Sequence, residues 1–220
     1  MGYDIILFDL DGTLTDSGPG IMNAAAYAMG HYGLRADKTL LRRFVGPPLL
    51  ESFMDFCGFS PEKAAEAIGV FREYYMERGV YENSVYPGVV QMLETLLGSG
   101  RRLAVATTKL ESTAVFVLEH FKLAKYFELA AGSLGDNTRT YKAEVVAFAL
   151  EKLGVLDKKT ALMVGDREHD VIGARENGVD CLGVLYGYGS REELVGAGAV
   201  GTAATPQEAT EKIVSRLTVS

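Results

Sequence analysis

The stretch Ile5-Ile6-Leu7-Phe8-Asp9-Leu10-Asp11-Gly12-Thr13-Leu14 decides how the rest of the chain is read. Its first four residues are a continuous apolar run. A strand buried on both faces reads that way, and such strands belong to parallel sheets covered by helices. Two acids follow at once, two residues apart. Side chains at i and i+2 of an extended chain share a face, so Asp9 and Asp11 project together at the strand's carboxyl end if the extended geometry persists. Two close carboxylates repel, and one is driven toward its neutral form unless a cation intervenes. Mg²⁺, hard and oxygen-seeking, suits such a pair. Gly12 lets the backbone turn sharply and approach a ligand closely. The alternative, a loop with two solvated acids, is disfavoured by the position right behind a buried strand.

Outward from this stretch, short apolar runs alternate with helical patterns. Further strands are expected at 103–106, 127–130 (the weakest), 161–164 and 181–185. Helical patterns occupy 87–98, 111–121, 141–153 and 168–177, with Pro87 in a first turn and Gly154 and Gly178 as stops. Strands alternating with helices predict an α/β fold with a parallel sheet. One region breaks the rhythm. Residues 17–83 hold helical patterns only, at 20–32, 37–44, 48–57 and 61–78. The last places Ala64, Ala65, Ile68, Phe71, Tyr74 and Tyr75 near one side, which reads as a packed helix face rather than a ligand box. The expected organisation is a core of 1–16 and 84–220 with an all-helical insert of 17–83. An insert after the first strand sits above the strands' carboxyl ends, where open α/β sheets bind ligands.

Composition bounds the function. Lys plus Arg number 22 against 29 Asp plus Glu, a formal charge of −7 over 220 residues. With no basic run, nucleic acid is excluded as a partner, because backbone phosphates need a positive footprint. Cys57 and Cys181 cannot form a disulfide scaffold and read as reduced, buried thiols of a cytoplasmic protein. No run approaches the roughly 18 apolar residues of a membrane span. Asp4 and Asp9 interrupt what would have to be a leader, and repeats and low-complexity tracts are missing from the pattern. The expectation is a soluble, intracellular chain, monomeric by default.

Three further elements carry polar groups to the same end of the sheet. Ala106-Thr107-Thr108-Lys109 closes the second strand, and a hydroxyl followed by helix-starting N–H groups can hold an anion or simply cap a helix. Lys142 opens the helix at 141–153, where a cation is mildly unfavourable against the helix dipole. Gly165-Asp166-Arg167-Glu168-His169-Asp170 follows the fourth strand and enters a helix. Asp170 lies one helical turn beyond Asp166 and can face the same point. The plain alternative makes Asp166 an N-cap and Asp170 a first-turn acid. Arg167 and Glu168 read as a surface pair, and His169 as a structural or exposed residue. Four acids, two hydroxyls and one lysine thus converge. Acids bind Mg²⁺, the lysine, hydroxyls and N–H groups bind phosphate, and an acid beside the metal can attack phosphorus.

These four motifs, in order from Asp9 to Asp170, resemble those of the haloacid dehalogenase (HAD) superfamily over essentially the whole chain. Within it, Phe44-Val45-Gly46-Pro47-Pro48-Leu49, the Gly165–Asp170 run and Gly183-Val184-Leu185-Tyr186-Gly187-Tyr188-Gly189 are most similar to the 5′-nucleotidase branch of the phosphoglycolate-phosphatase-like group. The resemblance implies a Rossmann-like core with a helical cap, Mg²⁺ as cofactor and a small phosphorylated metabolite as substrate. It implies Asp9 as nucleophile and metal ligand. Asp11 becomes general acid and then base, with its backbone carbonyl on the metal. Gly12, Thr107, Thr108 and Lys142 would hold the phosphoryl group, and Asp166 and Asp170 would bind the metal, Asp170 directly or through water. Thr108 stands where relatives commonly carry Asn, a change that bears on substrate preference. Arg43, Gly46 and Pro47 of the cap would face the leaving group.

The implied activity is phosphomonoester hydrolysis through an aspartyl-phosphate, with a nucleoside 5′-monophosphate as first substrate and phosphoglycolate or a sugar phosphate behind it. Asp11 argues against dehalogenase and phosphonate-hydrolase chemistry, neither of which needs that acid. A phosphomutase shares all four motifs and differs in its cap. A phosphate-ligand sensor on the same scaffold is the non-enzyme alternative, against which stand the intact Asp9, Asp11, Lys142 and Asp166.

Overall fold

The computed structural model describes residues 2–135 and 138–215. The chain divides into two compact units, one of residues 1–14 and 85–220, the other of residues 15–84. In the first unit the strands are β1 (Ile5–Phe8), β2 (Arg102–Leu110), β3 (Leu129–Ser133), β4 (Ala161–Gly165), β5 (Asp180–Val184) and β6 (Gly201–Ala203). They form one sheet in the order β3-β2-β1-β4-β5-β6, every pairing parallel. β1 is flanked by β2 on one side and β4 on the other, with Phe8 opposite both Val105 and Val164. The order reverses at β1, and the crevice beyond the carboxyl ends at such a switch point is where sheets of this kind bind ligands.

The apolar runs explain the sheet. All four residues of β1 and all five of β4 are buried. Ile5 and Leu7 share one core cluster with Ala104, Met163, Val145 and Val171. Val145 belongs to a helix at Lys142–Lys152, Val171 to one at Glu168–Glu176. Asp9 continues the parity of Ile5 and Leu7, so it leaves the strand on the face those two helices cover.

The second unit is helical: α1 (Gly18–His31), α2 (Lys38–Arg42), α3 (Leu49–Cys57) and α4 (Pro61–Tyr74), closed by a π-helical turn at Tyr75–Gly79. The remaining helices belong to the first unit: α5 (Val89–Gly98), α6 (Glu111–His120), α7 (Lys142–Lys152), α8 (Glu168–Glu176), α9 (Arg191–Ala197) and α10 (Pro206–Val214). Phe44, Phe53 and Phe59 build the aromatic centre of the second unit, with Phe44 and Phe53 edge-on at 5.1 Å between centroids. Gly20 of α1 lies so close to Gly79 that a Cβ on Gly20 would strike the Gly79 carbonyl.

Several sequence expectations are corrected. The α5 helix starts at Val89 rather than at Pro87, because Gly88 takes φ +89° as N-cap and leaves Pro87 in the preceding turn. β2 runs on to Leu110 instead of stopping at Ala106, with its pairing to β3 shifting register in between. On α4, Ala65 is exposed and Ala67 is buried with Ala64 and Phe71, as a 3.6-residue period starting at Ala64 requires. Cys181 is buried, but Cys57 is only half-buried, and both are free thiols. β6, α9 and α10 have no counterpart in the sequence reading.

Candidate active site

Asp9 extends the pairing of β1 by one residue, its backbone N–H donating to the Val164 carbonyl at 2.9 Å. Its side chain meets the first residue of α7. Lys142 Nζ donates to Asp9 Oδ1 at 2.6 Å and to the Ala106 carbonyl at 3.0 Å, and pairs with Asp170 Oδ1 at 2.7 Å. Two of the ammonium's three donors are taken by hydrogen bonds, and the Asp170 contact adds charge pairing rather than a third hydrogen bond. A first-turn lysine, disfavoured by the helix dipole, is thus held by two carboxylates. The helix is tied at the same point by Glu144, whose carboxylate accepts from the Tyr141 backbone N–H at 3.1 Å.

Asp166 follows β4 and is fully buried. Its carboxylate accepts from the Tyr188 backbone N–H at 2.7 Å and from the Thr13 hydroxyl at 3.4 Å. It is not the N-cap of α8. Arg167 takes that position, and Asp170, three residues on, accepts the Arg167 backbone N–H at 3.1 Å. Nor do Arg167 and Glu168 form a surface pair: Arg167 Nε donates to Glu193 Oε1 of α9 at 2.7 Å, and the Glu168 backbone N–H joins the same oxygen at 2.9 Å. His169 is half-buried.

Oxygens of Asp9, Asp166 and Asp170 lie within 4.8 Å of one another, all three residues buried. Three buried carboxyl groups share one ammonium, an excess of acid over base with little solvent to screen it. The electrostatics register this. Burial raises Asp9 to about 6 despite the opposing pull of Lys142, with Asp170 adding to the rise. Burial, then the charges of Asp170 and Asp9, push Asp166 well up. Burial alone would lower Lys142, yet Asp170 and Asp9 outweigh it and raise it. A hard divalent cation is the species such an oxygen cluster fits. The backbone is shaped around these acids: a Cβ on Gly12, which stands at φ +86°, would collide with the Asp166 carboxylate, and one on Gly187 with Asp166 and the Gly12 carbonyl.

Asp11 is not in the triad. Its carboxylate receives Lys109 Nζ on both oxygens, at 3.0 and 3.2 Å. Thr107 is buried and its Oγ1 accepts the Lys109 backbone N–H at 3.3 Å, while Thr108 is half-buried. Arg43, Gly46 and Pro47 belong to the second unit, where the Arg43 guanidinium lies 4.1 Å over the Phe56 ring and Gly46 stands at φ +110°. Four contributors have no role that the sequence indicates: Thr13, Lys109 and Tyr188, which lie within the motifs, and Glu193, which lies outside them. Lys109 and Glu193 meet partners 98 and 26 residues away. No local spacing signals such contacts.

The model of the family described as haloacid dehalogenase-like hydrolase matches residues 6–184. A 5′-nucleotidase of Pseudomonas aeruginosa is 44% identical over 193 residues, 87% of each chain. The tyrosine-protein kinase PtkA of Mycobacterium tuberculosis is 42% identical over 186 residues, 84% of this chain and 63% of that one. The crystal structure of a predicted phosphatase from Clostridium acetobutylicum superposes with a TM-score of 0.95 at 42% identity, covering 98% of this chain and all of that one.

Proposed function

The chain belongs to the haloacid dehalogenase-like hydrolase family, and from that premise we propose that it is a Mg²⁺-dependent phosphatase that hydrolyses a nucleoside 5′-monophosphate through an aspartyl-phosphate. The observation that carries the reading is Lys142, anchored between Asp9 and Asp170 beside Asp166 at the sheet's switch point. Phosphoryl transfer asks a protein mainly for positioning and charge stabilisation, and this cluster offers both.

In the proposed sequence Asp9 attacks phosphorus with one carboxylate oxygen. The ester P–O bond breaks, and Asp11 gives the departing alcohol its proton. Water then attacks phosphorus of the aspartyl-phosphate, Asp11 takes the water's proton, and the P–O bond to Asp9 breaks with its electron pair returning to the carboxylate. Lys142, Thr107, Thr108 and the backbone at Gly12 hold the phosphoryl oxygens. Lys142 also keeps Asp9 aimed. Asp9, Asp166, Asp170 and the Asp11 carbonyl would hold Mg²⁺, which when bound neutralises charge on the phosphoryl oxygens. Arg43, Gly46 and Pro47 bear on which leaving group is accepted, and Arg43→Ala should reorder relative kcat/KM among esters. The free thiols Cys57 and Cys181 fit a cytoplasmic protein, and we take the chain to act as a monomer.

A second reading has its own observation, the likeness to a tyrosine-protein kinase. On that reading the phosphoryl group on Asp9 passes to a tyrosine hydroxyl rather than to water. Phosphoglycolate and sugar phosphates, including mutase chemistry, remain the substrate alternatives. One experiment separates them: phosphate release from UMP, TMP, AMP, phosphoglycolate, glucose 6-phosphate and β-glucose 1-phosphate, with Mg²⁺ or EDTA, beside Asp9→Asn. Release that is fastest from the nucleotides, needs Mg²⁺ and vanishes in Asp9→Asn is the expected result. A phosphoglycolate preference, isomerisation of β-glucose 1-phosphate, or phosphotyrosine formation without phosphate release would each replace the nucleotidase reading.

A further inference from the structure

We propose that Lys109 is the positioning residue that orients Asp11 for the hydrolytic half of the reaction, an inference that rests on the function proposed above. The side chains of Lys109 and Asp11 are 8% and 13% exposed, and the ammonium faces both carboxylate oxygens at 3.0 and 3.2 Å. Contact with both oxygens restrains rotation about the Cβ–Cγ bond, which sets the plane in which the carboxylate presents its lone pairs. A buried ion pair brings little net stability, because desolvating both charges offsets their attraction. Its value here is geometric. β2 supplies the geometry by running past Ala106 to Leu110, with the Lys109 N–H tied to Thr107 Oγ1. One strand thereby carries a group proposed to hold the phosphoryl oxygens and, two residues on, the group that holds the acid.

With a leaving group that needs no proton, the step that calls on Asp11 is the second: the water oxygen bonds to phosphorus, the P–O bond to Asp9 breaks with its electron pair returning to that carboxylate, and Asp11 takes the water's proton. Breakdown of the aspartyl-phosphate should depend on Lys109, while its formation from an ester whose leaving group needs no proton should not.

The test uses p-nitrophenyl phosphate with the full-length chain and Mg²⁺, comparing wild type, Lys109→Met and Lys109→Arg. In Lys109→Met, kcat should fall about tenfold or more while kcat/KM stays within about threefold, because kcat/KM ends at the first irreversible transfer. Acid-quenched protein should show a larger phosphorylated fraction at steady state than wild type, and Lys109→Arg should recover most of kcat. Lys109→Gln, neutral and of similar reach, serves if the Met variant does not fold. Equal loss in kcat and kcat/KM, an unchanged kcat, or no rise in phosphoenzyme would overturn the inference while leaving the phosphatase reading intact. A wild-type chain that neither turns over nor becomes phosphorylated would overturn both.

Discussion

Lys142 shows how much of this site depends on a single charge. It touches Asp9 at 2.6 Å and Asp170 at 2.7 Å, and its side chain is 5% exposed. Removing one partner of a buried ion pair typically costs about 3–5 kcal/mol, since the charge left behind has no compensation. Lys142→Met should therefore lower the melting temperature measured in EDTA, with part of the loss restored by Mg²⁺, and should reduce turnover by about a hundredfold or more. Asp9 gives a pH dependence. Its folded-state value, raised from 3.8 to about 6, means the folded chain without metal binds the extra proton between those limits. This group's contribution to stability is then greatest below about pH 4, declines as pH rises to about 6, and stays unfavourable above. Mg²⁺ relieves that penalty and competes with the proton, so the melting-temperature gain from Mg²⁺ should be larger at pH 8 than at pH 5. Equal gains at both would contradict the assignment. Asp9 and Asp166 were legible as acids directly behind buried strands, and Asp170 as an acid one helical turn beyond Asp166, whereas the strand period that paired Asp9 with Asp11 did not foresee that Asp11 turns to Lys109. The Asp11–Lys109 and Arg167–Glu193 pairs were not legible, since each joins residues that only the tertiary fold brings together.

At the scale of elements, the loop after β5 constrains β4 and the Asp11–Gly12 turn. The Tyr188 N–H holds Asp166, and Gly187 packs where any side chain would meet Asp166 and the Gly12 carbonyl. Gly187→Ala should displace Asp166 and weaken Mg²⁺-dependent activity by at least about tenfold, as loss of a group that orients a metal ligand does. Titration of activity against Mg²⁺ reads this as a raised metal requirement, and an unchanged requirement would count against the packing argument. The strands β1, β2, β4 and β5 were readable because burial on both faces leaves an unbroken apolar run. β6 was not, because Gly201-Thr202-Ala203 is three residues long with little hydrophobicity. α9 has seven residues, too few to show a period. α10 does bear a capping signal, with Thr205 accepting the Glu208 N–H at 3.1 Å and Pro206 in its first turn. Pro87 misled because the residue after it, Gly88, can take the left-handed conformation that starts the helix later.

For the whole molecule, the sheet order explains why residues scattered from 9 to 170 converge. β1 lies between β2 and β4, and α7 and α8 cover the face onto which Asp9 points, so four segments end at one crevice. The helical unit of residues 15–84 interrupts the chain directly after this first segment. Among the described residues no helix is long and apolar enough to cross a membrane. In the proposed mechanism Asp9 carries the phosphoryl group. The most direct test is to mix the protein with Mg²⁺ and a phosphomonoester, quench in acid within the first turnovers and map the modified peptide by mass spectrometry. The expected result is one phosphoryl group on Asp9, absent in Asp9→Asn and labile to alkali. Turnover with an unmodified Asp9, or a phosphoryl group on another residue, would contradict it.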